Sequence, residues 1–100
     1  MQLEITATDE GFRLEGELDM ATAESLSEVL RTAAPNEDPI VLDFEGVSFM
    51  DSSGLRALLE GTGLPKERGP VVILNPTPQV RRVLDISIPG GIPGLEVRPG

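Results

Sequence analysis

Two short, almost wholly apolar segments constrain the fold of this 100-residue chain more than any other feature. Residues 40–44 read Ile-Val-Leu-Asp-Phe, and residues 71–74 read Val-Val-Ile-Leu. Runs of this β-branched character are typical of central strands that are covered on both faces. Amphipathic helical patterns separate them and flank them. Alternating strands and helices predict parallel strand pairing, with the helices packed against the sheet.

The start of the chain predicts an antiparallel hairpin ahead of this parallel part. Apolar and polar residues alternate over residues 3–7 and again over residues 12–18, on either side of an Asp-Glu-Gly turn at residues 9–11. We predict loops at residues 35–39 and at residues 45–50, the second of them partly buried, and a short last strand at residues 95–98. The expected order is β-β-α-β-α-β-α-β in one mixed sheet, which makes residues 1–100 a single α/β domain.

Three amphipathic segments predict the helices. Thr22 is an acceptable N-cap for the first, whose apolar stripe falls at residues 26, 29, 30 and 33. The second opens at Asp-Ser-Ser-Gly, residues 51–54, and runs to residue 60, because Gly-Thr-Gly-Leu-Pro at residues 61–65 should break it. The third covers residues 79–86 and follows Pro78, a residue favoured in the first helical turn.

The side-chain inventory excludes several kinds of chemistry. The chain has no histidine and no cysteine, and its 17 acidic and 8 basic side chains give a net charge of −9. It therefore has no Ser-His-Asp triad, no thiolate nucleophile, no disulfide, and no metal site built on histidine or cysteine. The negative charge argues against binding to nucleic acid or to an anionic membrane surface. Without a signal peptide or spanning segment, we expect a cytoplasmic protein that is not an enzyme and needs no cofactor.

The charge is unevenly distributed along the sequence. Residues 1–50 carry 12 acidic and 2 basic side chains, a net charge of −10, whereas residues 51–100 carry a net charge of +1. Two interpretations are open. The acidic half is either a well-solvated surface, or a surface that steers a basic protein partner toward the chain.

Residues 51–54, Asp-Ser-Ser-Gly, form the segment with the clearest chemistry. Asp and Ser at the start of a helix are preferred capping residues, which is the simplest interpretation. A hydrolase would need the Gly-x-Ser-x-Gly elbow and an activating base, and a nucleotide hydrolase would need a phosphate-binding loop; the sequence has neither motif. A serine at a helix start can also be the substrate of another protein's kinase site, where a phosphate adds about −1.5 to −2 charges.

A family resemblance accompanies these residues. Residues 40–55, IVLDFEGVSFMDSSGL, closely resemble the signature of STAS-domain anti-sigma factor antagonists. Residues 16–23, from Gly-Glu-Leu-Asp to Thr-Ala, and residues 75–85 agree with it, so the similarity covers residues 3–98. It implies a single STAS domain, a mixed β-sheet with helices packed against it.

The resemblance also implies a switch between partners. In such systems the unphosphorylated antagonist binds an anti-sigma factor that is also a serine kinase, which frees a sigma factor for transcription. The kinase then phosphorylates the serine that follows the motif's aspartate, and a serine phosphatase reverses this. By position that serine is Ser52. ATP and magnesium would belong to the kinase.

Further site residues follow from the same resemblance. The frame of the phosphorylation site would be Asp51, Ser53 and Gly54, and the partner-binding positions would be Asp19, Met50 and Leu55. The early break after the second helix and the short Pro- and Gly-rich end depart from the family pattern. An alternative function in the same family is a STAS subunit of a transport assembly, for lipids or anions.

Overall fold

The helices and strands follow the predicted order in the computed structural model, which describes residues 3–33, 39–61 and 70–98. In these ranges the elements are β1 (Leu3–Ala7), β2 (Gly11–Leu18), α1 (Ala23–Thr32), β3 (Ile40–Met50), α2 (Ser52–Gly61), β4 (Val71–Leu74), α3 (Pro78–Ser87) and β5 (Leu95–Arg98).

The sheet has the strand order β1-β2-β3-β4-β5 and is mixed, as predicted. β1 pairs antiparallel with β2, and each later neighbour pairs in parallel through one helix. At the hairpin turn, Thr8 N donates to Gly11 O at 2.8 Å, and Gly11 N donates to the Thr8 hydroxyl at 3.1 Å. A Cβ on Gly11 would overlap the backbone of Val41, so glycine allows β2 to start directly beside β3.

One face of the sheet carries the core. The register aligns Phe12, Leu42, Ile73 and Val97 across four strands, and buried side chains from α1, α2 and α3 pack with this row. Right-handed crossovers that all advance in the same direction along a sheet place their helices on the same face, which explains this arrangement.

The opposite face of the sheet is covered unevenly: Val72 of β4 is fully buried there, but the β3 residues are not, so the prediction that β3 is buried on both faces is wrong. Val41 and Asp43 point to this face and are half-buried. Arg13 Nε lies 4.0 Å from the Asp43 carboxylate, on the neighbouring strand. The aspartate in the apolar run therefore sits on the more hydrated face, where a charge costs little.

The predicted loop at residues 45–50 is also wrong, because β3 continues to Met50. The register with β2 shifts twice, and each shift inserts one extra residue in β3, which is the pattern of β-bulges. Phe44, Val47 and Met50 are consequently buried at a spacing of three instead of two. The alternation that marks a strand is lost from the sequence, although the strand is present.

The helices agree with the prediction where they are described. Leu26 and Leu30 of α1 are buried, and Pro78 lies in the first turn of α3 after Thr77. The predicted loop at residues 35–38 and the break at residues 62–65 lie outside the described residues. In the described parts of the chain, none of the helices has the length and apolar character needed to cross a membrane.

Candidate functional site

The predicted site lies at the carboxyl ends of β2 and β3. Leu18 and Met50, the last residues of these parallel strands, are register partners, and Asp51 N donates to Leu18 O at 3.2 Å. Asp19 and Asp51 therefore leave adjacent strands at the same edge of the sheet. Ligands and partners of α/β proteins commonly meet this edge.

Asp51 is the capping residue of α2. Its Oδ1 accepts hydrogen bonds from Ser53 N at 2.8 Å and from Gly54 N at 3.2 Å. These bonds satisfy two of the free N–H groups at the helix start. The prediction that this segment caps a helix is confirmed, and the cap is the aspartate and not the serine.

The Ser52 side chain is exposed at the first position of α2. Its hydroxyl makes no hydrogen bond with any residue that the structure describes. Ser53 is half-buried and follows on the next helical position. Of the two serines, Ser52 is the more exposed to an incoming protein.

The buried Gly54 fixes how closely α2 approaches the strands. A Cβ at this position would lie 2.6 Å from Leu18 Cγ, 2.8 Å from Leu18 O and 2.9 Å from Met50 Cγ. These separations are too short for a real side chain, so glycine is required for the first turn of α2 to rest against the ends of both strands.

Two predicted partner-binding residues, Met50 and Leu55, lie in the core, with exposed fractions of 0% and 6%. This burial is at odds with a contact between their side chains and a partner. The bulged spacing of β3 turns Met50 inward, and Leu55 packs on the inner face of α2. Their side chains pack in the core beneath residues 51–54, and a docked protein would contact the exposed residues of this segment instead.

Asp19 stabilises the turn between β2 and α1. Its Oδ1 accepts hydrogen bonds from Ala21 N at 3.0 Å and Thr22 N at 3.2 Å. The Thr22 hydroxyl donates to Glu17 O at 2.7 Å and accepts from Asp19 N at 2.9 Å. Thr22 is the N-cap residue of α1, as predicted, but its side chain makes no capping hydrogen bond, because its hydroxyl is bound to the end of the preceding strand.

A shallow groove between α1 and α2 opens beside the serines. It has a volume of about 190 Å³, and Met20, Glu24, Ser53, Arg56 and Glu60 are among the residues that line it. Met20 is 82% exposed and gives this groove an apolar side chain at the surface. Arg56 follows Ser52 by one helical turn and has no ion-pair partner in the described ranges.

Within those ranges, no cluster of three or more acidic side chains could hold a metal.

Two contacts to the end of β3, from Gln79 of α3 and from Thr77 just before this helix, could not be predicted from the sequence. Gln79 Oε1 accepts from Met50 N at 2.8 Å, and Gln79 Nε2 donates to Met50 O at 3.0 Å. The Thr77 hydroxyl donates to Val47 O at 2.9 Å. A glutamine in the first turn of a helix gives no local signal of a partner that lies 29 residues earlier in the chain.

The fold and the site together define a family. The model of a STAS-domain family, described as "Mlab, STAS domain", matches residues 1–88. The chain therefore belongs to the STAS-domain family, as its sequence motifs predict.

Three proteins that are similar to this chain are named anti-sigma factor antagonists. An anti-sigma F factor antagonist of Lysinibacillus sphaericus is 36% identical over 78 residues, which cover 75% of this chain and 67% of that protein. The structure of the anti-sigma factor antagonist SpoIIAA in its unphosphorylated form is 28% identical, with a TM-score of 0.64, and the match covers 95% of this chain and 86% of that one. An anti-sigma factor antagonist from Mycobacterium paratuberculosis is 25% identical, with a TM-score of 0.65, and the coverage is 94% and 83%.

Proposed function

We propose that this chain is an anti-sigma factor antagonist, which binds an anti-sigma factor with serine kinase activity and is released when that kinase phosphorylates Ser52. A serine phosphatase would return it to the binding form. One observation carries the proposal: Ser52 offers an exposed hydroxyl, without hydrogen bonds to the described residues, directly after the capping Asp51. The names of its similar proteins support the choice of partner.

The surroundings of Ser52 suit a switch that changes binding and leaves the fold intact. The capping bonds of α2 come from Asp51 and not from Ser52, so a phosphate on Ser52 breaks no hydrogen bond of the described structure. It adds about −1.5 to −2 charges beside Asp51 and at the edge that holds Asp19. A partner packed over a neutral hydroxyl would then have to accommodate a desolvated dianion, which weakens the complex.

On this proposal the chain acts as a binding partner and a substrate, and the catalytic groups, ATP and magnesium belong to the kinase. The acidic half of the sequence, with its net charge of −10, would favour association with a basic surface of that kinase. Met20 is exposed and lines the same groove as Ser53, so it offers a partner an apolar contact, whereas Met50 and Leu55 are buried.

The experiment is phosphorylation by the cognate kinase with ATP, followed by mapping of the phosphate by mass spectrometry. We expect phosphate on Ser52 in the wild type and in the matched control Ser53→Ala, and none in Ser52→Ala. The Ser52→Ala chain should stay bound to the kinase in the presence of ATP. Its free energy of unfolding should lie within about 0.5 kcal/mol of that of the wild type, because Ser52 is at the surface and its side chain makes no hydrogen bond with the described residues. Phosphate on Ser53 alone, or a complex that survives phosphorylation of Ser52, would contradict the proposal.

A STAS subunit of a transport assembly is the second candidate. The matched family model bears the description "Mlab, STAS domain" and does not name an anti-sigma factor, so family membership alone fits both functions. Pull-down with Ser52→Asp separates them. An antagonist should lose its partner with this variant, whereas a transport subunit should keep it.

A further inference from the structure

Among the residues that the structure describes, the end of β3 has no neighbouring strand on the side of β4. β4 pairs with residues 40–43 of β3 and ends at Leu74, while β3 continues to Met50. On the other side, Asp51 N donates to Leu18 O, so Leu18 directs its polar backbone groups toward β3. In a parallel ladder the partner residue then directs its own N–H and C=O away. The backbone of Met50 therefore faces the side that β4 does not reach.

Gln79 lies on this side of β3. Its side-chain Oε1 accepts a hydrogen bond from Met50 N at 2.8 Å, and its Nε2 donates one to Met50 O at 3.0 Å. A primary amide has one acceptor and one donor group, as a backbone residue of a strand has. Gln79 thus replaces the missing strand at one position, which is the residue before Asp51.

We propose that Gln79 is a positioning residue for Ser52, and this inference rests on the proposed function of that serine. By holding both polar groups of Met50, Gln79 fixes the backbone from which Asp51 caps α2 and Ser52 is presented. Its contribution to the docking of α3 is secondary, since Val80 and Leu84 anchor that helix in the core. Losing Gln79 should therefore loosen the serine segment and leave the rest of the fold in place.

The chain supplies a matched control for this inference. Thr77 makes the same kind of bond from the start of α3 to β3, but to Val47 O, three residues before the end of the strand. Gln79→Met removes both bonds to Met50 with little change in volume, and Thr77→Val removes the bond to Val47. Gln79→Glu is the second variant, because an ionised carboxylate keeps the acceptor for Met50 N and loses the donor to Met50 O.

Native-state hydrogen exchange of the amides of Asp51, Gly54 and Leu55 is the first measurement. We expect Gln79→Met to speed their exchange about tenfold relative to wild type, Gln79→Glu to speed it less, and Thr77→Val to leave it unchanged. Exchange of the Leu42 amide in the middle of the sheet should be the same in all four proteins. Equal exchange at the three site amides in Gln79→Met and Thr77→Val would overturn the inference.

Phosphorylation kinetics is the second measurement. Gln79→Met should lower kcat about tenfold with KM unchanged, because the docking surface is intact while the hydroxyl is misplaced. Faster exchange with an unchanged kcat would mean a purely structural role and would overturn the inference. If wild type itself takes no phosphate on Ser52, the proposed function fails instead, and the exchange comparison still decides whether Gln79 holds the segment.

Discussion

The two halves of β3 are stabilised in different ways. Residues 40–43 lie between β2 and β4, and their inward side chains alternate with a period of two. Residues 45–50 have β2 on one side and polar side chains of α3 on the other, and their inward side chains recur every three residues. The first half is held by strand pairing and apolar burial. The second half pairs with β2 alone and also buries Val47 and Met50, and on its other side its backbone is hydrogen-bonded to the side chains of Gln79 and Thr77. The candidate site begins where this half ends.

Because of this difference, the stability of the fold and the position of the Ser52 segment depend on different parts of β3. The backbone before Asp51 depends on Gln79 and Thr77, which lie on a different element from the serine. Changes in α3 can therefore move the segment of Ser52 without disturbing the paired half of the strand. A uniformly paired strand would not allow this, because its ladder would fix the end as firmly as the middle.

The largest effect should come from the paired half. Leu42→Ala removes a fully buried side chain from the middle of the core and should destabilise the fold by about 2–5 kcal/mol. Val41→Ala is the matched control, because Val41 is half-buried on the opposite face and should cost clearly less. Urea denaturation measures both values. Equal losses for the two variants would mean that the two faces of β3 do not differ in the way described above.

The paired half of β3, its neighbour β4 and the hairpin are also the parts whose strands can be predicted from the sequence. Residues 40–44 and 71–74 form nearly continuous apolar runs, and the hairpin shows regular alternation of apolar and polar residues around its turn. The bulged half does not, because each inserted residue breaks the period on which a strand prediction depends. The same bulges turn Met50, a partner-binding position implied by the resemblance, into the core.

The candidate site divides along the same line. The capping role of the segment at residues 51–54 follows from local sequence, since a cap bonds to backbone two or three residues away. The bonds from Gln79 and Thr77 join residues about 30 positions apart, so only the folded chain brings them together. Thr22 is the N-cap residue of α1, as its local sequence predicts, but the bond from its hydroxyl to Glu17 O at the strand end does not follow from the capping pattern.

An intermediate effect should come from the contact between α2 and the strand ends. In Gly54→Ala the new Cβ would press on Leu18 and Met50, and relieving such overpacking typically costs about 1–3 kcal/mol. Ser53→Ala is the control on the neighbouring position. Thermal denaturation should show a lower midpoint for Gly54→Ala only. A midpoint equal to that of wild type would mean that α2 can shift away from the strands freely, and the close approach would then have no role in fixing the site.

The smallest effect should come from the cap itself. Asp51→Ala removes the acceptor for Ser53 N and Gly54 N and should cost about 0.5–2 kcal/mol, as the loss of an N-cap usually does. Asp51→Asn keeps a side-chain oxygen at the same place and should restore most of this stability, while it removes one negative charge beside Ser52. Urea denaturation of the two variants separates the hydrogen bonds from the charge. A cost for Asp51→Ala as large as that for Leu42→Ala would mean that the cap stabilises the fold as much as a core side chain does. A cost in the expected range would instead show that the bonds that hold the serine segment contribute little to the stability of the whole fold, so this segment can change with little effect on the paired half of β3.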